Sequence, residues 1–189
     1  MKKLVVLFLL LSSLAVEAQE NTPNAKPKWI IGFGVNFIDN AANNKQFLNF
    51  SNKLDYLPSV SKVSFERLMS EQFSLEGSMV INKLSTNKIQ NGSTINEDQD
   101  YFGLDLNGKF YFGKEFIKWS AFDPYLVAGF GLNKLGDNTG QSSNLGLGFN
   151  FWFNPNIGLR MQSQGKFSFN QIINLNNHIQ HSAEIVFKF

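Results

Sequence analysis

The chain carries two imidazoles, His178 and His181, with the hydroxyl of Ser182 beside the second. Hydrolytic chemistry needs a base within reach of its nucleophile, and a metal ion needs its ligands on one side. In an extended strand, residues one or three apart point to opposite faces. His181 and Ser182 therefore cannot work as a pair, and the two histidines cannot share one ion. The His-x-Ser spacing of lipid A deacylases is missing as well. No catalytic, cofactor-binding or metal-binding residue is assigned, and no enzyme activity is expected. The acidic run Glu97-Asp98-Gln99-Asp100 lacks the alternating ligands and central glycine of a calcium loop and reads as a solvated loop tip. The Gly-x-Gly triplets at 32–34, 129–131 and 146–148 lack the third glycine and the helix of a dinucleotide fingerprint. Asn91-Gly92-Ser93 matches a glycosylation sequon by pattern alone. Cys is 0, which removes thiol chemistry, disulfides and acylation at a lipobox.

What remains is a set of charges with a common placement. Lys62, Glu66, Glu76, Asp105, Lys109, Arg160, Glu184 and Lys188 each fall on the polar side of a stretch that alternates apolar and polar residues. Four acids meet four bases. If that side is enclosed, each charge needs a partner, because an isolated charge away from water is costly. The expected chemistry is an ion-pair network that fixes strand register, with an ion pathway as the functional alternative.

Eight stretches with a period of two must position these charges. They are 29–37, 59–69, 73–81, 101–112, 125–133, 144–153, 157–164 and 179–189. The sixth, NLGLGFNFWF, is the clearest: Leu145, Leu147, Phe149, Phe151 and Phe153 oppose Asn144, Gly146, Gly148 and Asn150. Tight turns are expected at 70–72 and 154–156, and long polar loops at 38–57, 85–100, 134–143 and 165–178. The segment 113–124 is too long for the tight turn its position calls for. Short and long connections alternate, as in barrels whose long loops lie on one side of a membrane.

Period two does not say which face is dry on the inside. Residue size does. The chain has 20 Phe, and a closed eight-stranded cylinder has room inside only for side chains to fill it, so successive phenylalanines would overfill the interior. Lipid accepts them. The predicted fold is an all-β, eight-stranded, antiparallel up-and-down transmembrane β-barrel; a soluble ligand-binding barrel with phenylalanine inward is the inverse alternative.

The remaining expectations concern address and partners. Lys2 and Lys3, the apolar run Leu4 to Leu11 and Val16-Glu17-Ala18 read as a secretory signal over 1–18. Residues 19–28 form a short periplasmic segment and 29–189 the barrel. Basic residues number 17 and acidic ones 15, with no concentrated basic stretch, so a nucleic-acid partner is excluded. The alternation closes on Ile185, Phe187 and Phe189, an aromatic ending suited to a membrane interface; it resembles the C-terminal signature by which bacterial outer-membrane barrels are recognised for insertion.

The stretches KWIIGFGVNFIDN (28–40), FSLEGSMVINK (73–83), FDPYLVAGFG (122–131), NLGLGFNFWFNPNIGLRMQSQGKF (144–167) and HIQHSAEIVFKF (178–189) together resemble the N-terminal barrel of Bacteroidetes OmpA-family proteins. The resemblance implies a bacterial outer-membrane barrel with a structural, envelope-stabilising role and, in some members, adhesion through surface loops. Many members continue into a peptidoglycan-binding domain. This sequence stops at Phe189, so direct cell-wall anchoring is not expected. The implied partners are outer-membrane lipids, the barrel-assembly machinery and periplasmic chaperones. The protein is expected to be a monomer without cofactor; a loop-bound surface ligand and a narrow small-solute pore are the alternatives.

Overall fold

The computed structural model of the protein describes residues 29–39, 54–86, 89–90, 93–94, 96–113, 117, 119–169 and 177–189. The signal-peptide and periplasmic-segment expectations (1–18 and 19–28), parts of three of the expected long loops (38–57, 85–100 and 165–178) and the sequon fall wholly or partly outside them.

Eight wall strands follow one another as β1 (Trp29–Asp39), β2 (Lys62–Leu68), β3 (Phe73–Leu84), β4 (Gln99–Tyr111), β5 (Phe122–Leu135), β6 (Asn138–Trp152), β7 (Ile157–Ser168) and β8 (His178–Lys188). Each pairs antiparallel with its neighbours in sequence, and β8 pairs with β1 from Ile30↔Lys188 to Asp39↔Ile179. The sheet is a closed antiparallel barrel. Two backbone hydrogen bonds seal the seam where the chain ends meet: Trp29 N to Phe189 O and Phe189 N to Trp29 O, both 3.0 Å.

Alternation orients the wall as its residue sizes require. Phe130 (68% exposed), Leu147 (62%), Leu145 and Leu106 point outward, whereas Asp105, Glu66 and Arg160 point inward and are buried. Phe149 and Phe151 lie on the outward face, packed against Phe122 (5.1 Å between ring centroids) and Trp119 (5.4 Å). So much contiguous apolar surface would aggregate in water; acyl chains cover it. Outward-facing charges on the described strands keep to the rims, Asp39, Lys83, Asp100 and Lys134 at the long-loop end and Arg67 at the other.

The turns at the second end match their sequences. Ser70 Oγ accepts from Phe73 N (3.0 Å), and Asn154 Oδ1 accepts from Asn156 N and Ile157 N (2.9 Å each). In the unexplained 113–124 segment, Ile117 N donates to Gly113 O (2.7 Å), and β5 starts at Phe122.

Three expectations need correction. No long loop spans 134–143: β5 and β6 run on to meet in a two-residue turn, Gly136-Asp137, with Gly136 at φ 54°, a backbone state glycine adopts without strain. Their polar ends are strand because hydrogen bonding continues past the apolar band. β7 likewise reaches Ser168, four residues beyond the expected end.

The third correction concerns the expected long loop 38–57: its end, Leu54–Tyr56, is a short strand paired with β1, and 57–61 separates it from β2, which lies within the expected 59–69. Pro58 has no N–H to give to a ladder. The interior stitches the break: Ser61 N donates to Gly34 O (2.8 Å), while Asn36 Nδ2 donates to Ser61 O (3.0 Å) and Ile81 O (2.9 Å).

Candidate functional site

The polar face of every wall strand converges on the barrel axis, and the side chains there fill layers. Nearest the short-turn end lies an aromatic layer of Tyr111, Tyr125 and Val127, with the two rings 5.1 Å apart. Above it sits the densest charge cluster. Arg160, from β7, reaches across the lumen to Glu66 on β2 and to Glu76 on β3 (Nη1 to Oε2, 2.9 Å), and its Nε donates to Asn150 Oδ1 (2.9 Å). Lys109, from β4, donates to Glu66 Oε2 (3.0 Å) and to Glu76, with its ammonium 4.6 Å from the Tyr125 ring centre. Ser74 and Tyr111 hydroxyls donate to the other oxygen of Glu66. Two acids thus share two bases, all four fully desolvated.

A second pair lies alongside. Lys62 Nζ is 2.8 Å from Glu184 Oε1 and donates to Ser182 Oγ (3.1 Å), while Ser64 Oγ donates to Glu184. Gly32 makes this pair possible, since a Cβ there would collide with both the Glu184 carboxylate and the Ser64 hydroxyl.

Toward the long-loop end the character changes. Lys166 Nζ contacts Asp105 Oδ1 (2.8 Å), Asn133 Oδ1 (3.0 Å) and the Tyr101 hydroxyl (3.3 Å). Asn144 Nδ2 donates to Asp105 Oδ1 (3.0 Å), and the Tyr101 hydroxyl donates to Asn133 Oδ1 (2.7 Å). One ion pair is set among neutral amides and hydroxyls. Beyond it, Ile38, Val80, Leu84 and Leu135 pack with Tyr101 as an apolar cap.

The structure brings together seven of the eight residues expected to line the interior: Lys62, Glu66, Glu76, Asp105, Lys109, Arg160 and Glu184. Lys188 is the exception. It sits at the short-turn mouth with its ammonium 3.6 Å from the centre of the Trp152 ring and joins none of these ion pairs. Period two reports the face a residue occupies, not its depth along the axis. Lys166 takes the fourth basic position, missed because Gly165 and Ser168 made 165–178 read as loop. The apolar cap was missed because its members sit on the otherwise polar parity.

The two histidines separate as expected. His178 faces inward, edge-on to Tyr101 at 5.9 Å between centroids, and His181 faces outward. Glu97, Asp98 and Asp100 are exposed, and Asp98 Oδ1 accepts from Thr86 N (3.0 Å). Ile185, Phe187 and Phe189 face outward at the short-turn end.

This architecture recurs among solved structures. Over 86% of this chain and 96% of the other, it superposes on the outer membrane protein OprG from Pseudomonas aeruginosa with a TM-score of 0.59 at 14% identity. Neisserial surface protein A gives 0.56 at 15% identity over 87% and 98% of the two chains. Outer membrane protein W of E. coli gives 0.51 at 13% over 88% and 100%. At such identities the likeness speaks to the fold. No match is found among curated proteins. The family described as outer membrane protein beta-barrel domain matches residues 6–183. An apolar girdle that only lipid can cover, a closed barrel and this match agree: the chain belongs to the outer membrane protein beta-barrel domain family and lies in the bacterial outer membrane.

Proposed function

We propose that this protein is a structural barrel of the OmpA-like kind that supports envelope integrity, with a lumen closed by its own side chains. The observation that carries the reading is the Arg160 cluster, in which residues from β2, β3, β4 and β7 bond across the axis with no exposed side-chain surface. Opening a water path there would break several charge-assisted bonds at once, and a buried pair that loses one partner costs about 3–5 kcal/mol. The motif resemblance noted above supports the OmpA-like assignment. In this reading residues 1–18 act as a removable export signal, the outward aromatic ending on Phe187 and Phe189 is read by the assembly machinery, and the protein works as a monomer.

Planar-bilayer recording of the purified barrel tests closure. The expected trace shows no large, stable unitary current; such a current would refute a sealed interior.

A second reading is capture of a surface ligand at the long-loop end. A groove of about 1010 Å³ lies there, lined by Leu57, Ile81, Phe102, Lys134, Asp98 and Asp100 among others. Trimming 87–96, short of the β4 ladder, should leave folding intact and abolish surface attachment if this reading holds.

A further inference from the structure

Between its rims the outward face of the eight wall strands carries one titratable side chain, His181; Tyr56, on the short strand Leu54–Tyr56, lies across Phe37 from it. An ionisable group held in the acyl-chain region is costly, and such groups mark function often enough to ask what surrounds them. Across β7, the residue in register with His181 is Ser163, also outward. Across β1, the register partner is Phe37, and Asp39 lies two residues further along the same face. Directly opposed residues hold their Cβ atoms about 4.5–5.5 Å apart. Asp39 thus sits on the diagonal from His181, at about 7–8 Å. Three neighbouring strands therefore present, in spatial order, a hydroxyl, an imidazole and a carboxylate. Pairing Ser163 rather than Ser182 with His181 removes the objection that adjacent residues face apart.

Ser163 and His181 line a groove of about 290 Å³ whose walls are Leu147, Phe149, Met161 and Ala183, with Asp39 outside it. It is apolar and open to the membrane, so lipid acyl chain is what reaches it. The polar end lies toward the long-loop rim, where the acyl chains of the outer leaflet meet their ester linkages.

We propose that Ser163, His181 and Asp39 form a hydrolytic site for acyl esters of outer-leaflet amphiphiles, with the groove holding the acyl chain. Ser163 Oγ attacks the ester carbonyl as His181 takes its proton. The carbon–oxygen bond of the ester then breaks, and His181 returns that proton to the leaving alcohol. Water attacks the acyl-serine, giving one proton to His181 and releasing the carboxylic acid; His181 reprotonates Ser163 Oγ. Ser163 and His181 are the catalytic residues and Asp39 is a positioning residue that orients the ring.

The test uses the full chain refolded in detergent, with folding confirmed by heat-modifiable migration. A fluorophosphonate probe and the p-nitrophenyl ester of lauric acid are the reagents. The expected result is labelling of Ser163 by the probe and ester hydrolysis, both lost in Ser163→Ala. His181→Gln should lower hydrolysis about 100-fold or more. Asp39→Asn should lower kcat and shift the pH dependence of kcat in protein of equal folded fraction, whereas a general loss of folding lowers the rate equally at every pH. Folded protein that neither labels nor hydrolyses above the Ser163→Ala background, or that labels equally at another serine, overturns the proposal.

Discussion

The two charged layers of the lumen solve one problem in different ways. In the Arg160 layer, Glu66, Glu76, Lys109 and Arg160 bond chiefly to one another; Ser74 and Tyr111 support Glu66, but Glu76 takes its bonds from Lys109 and Arg160 alone. In the Lys166 layer, a lone pair with Asp105 is embedded among Asn133, Asn144, Tyr101 and Gln164. Amides and hydroxyls can turn to satisfy a carboxylate that has lost its cation; a second carboxylate cannot. The layer nearest the short-turn end should therefore be brittle, and the one nearest the loops tolerant.

The largest expected effect comes from breaking the brittle layer. Arg160→Met leaves two carboxylates facing one lysine and should cost about 3–5 kcal/mol in reversible denaturant unfolding. An equal loss in both layers would erase the distinction between them. The outer wall gives the next value down: Leu106→Arg, midway up the apolar band, should cost about 2–4 kcal/mol. Its measurement in lipid vesicles separates membrane burial from packing, since the effect should fade for Arg at the rim. The tolerant layer follows, with Lys166→Met expected to cost about 1–3 kcal/mol as Asn144 and Gln164 keep donating to Asp105. A double-mutant cycle sharpens the contrast further: Glu66→Gln with Arg160→Met should couple strongly, by about 1–3 kcal/mol. The smallest change is Phe130→Leu on the lipid face, expected within about 0.5 kcal/mol of the parent.

The contrast also explains what could be read from residue order. Glu66, Lys109, Arg160 and their partners were legible because they lie deep inside alternating stretches, where parity alone assigns a face. Lys166 was hidden because its flanking Gly165 and Ser168 look like loop residues, while the ladder with β6 continues through Ser168↔Ser142. Lys188 has the right parity and the wrong depth. Val80, Leu84 and Ile38 close the loop end from positions where alternation calls for polar residues. The break at 57–61 follows from Pro58, which has no N–H for a ladder, and the short strand before it was hidden in a stretch that reads as loop. Proximity across strands was the least legible: that Ser163 faces His181 depends on register, which a single chain does not announce.

The inside-out wall is the claim on which the rest stands. With Cys at 0, single cysteines can be placed along β6 at 145–151 and spin-labelled without removing any native thiol. Oxygen accessibility in lipid vesicles should then peak at 145, 147, 149 and 151 and fall at 146, 148 and 150. A profile with the opposite phase, oxygen reaching 148 and 150 but not 147 and 149, would contradict the account.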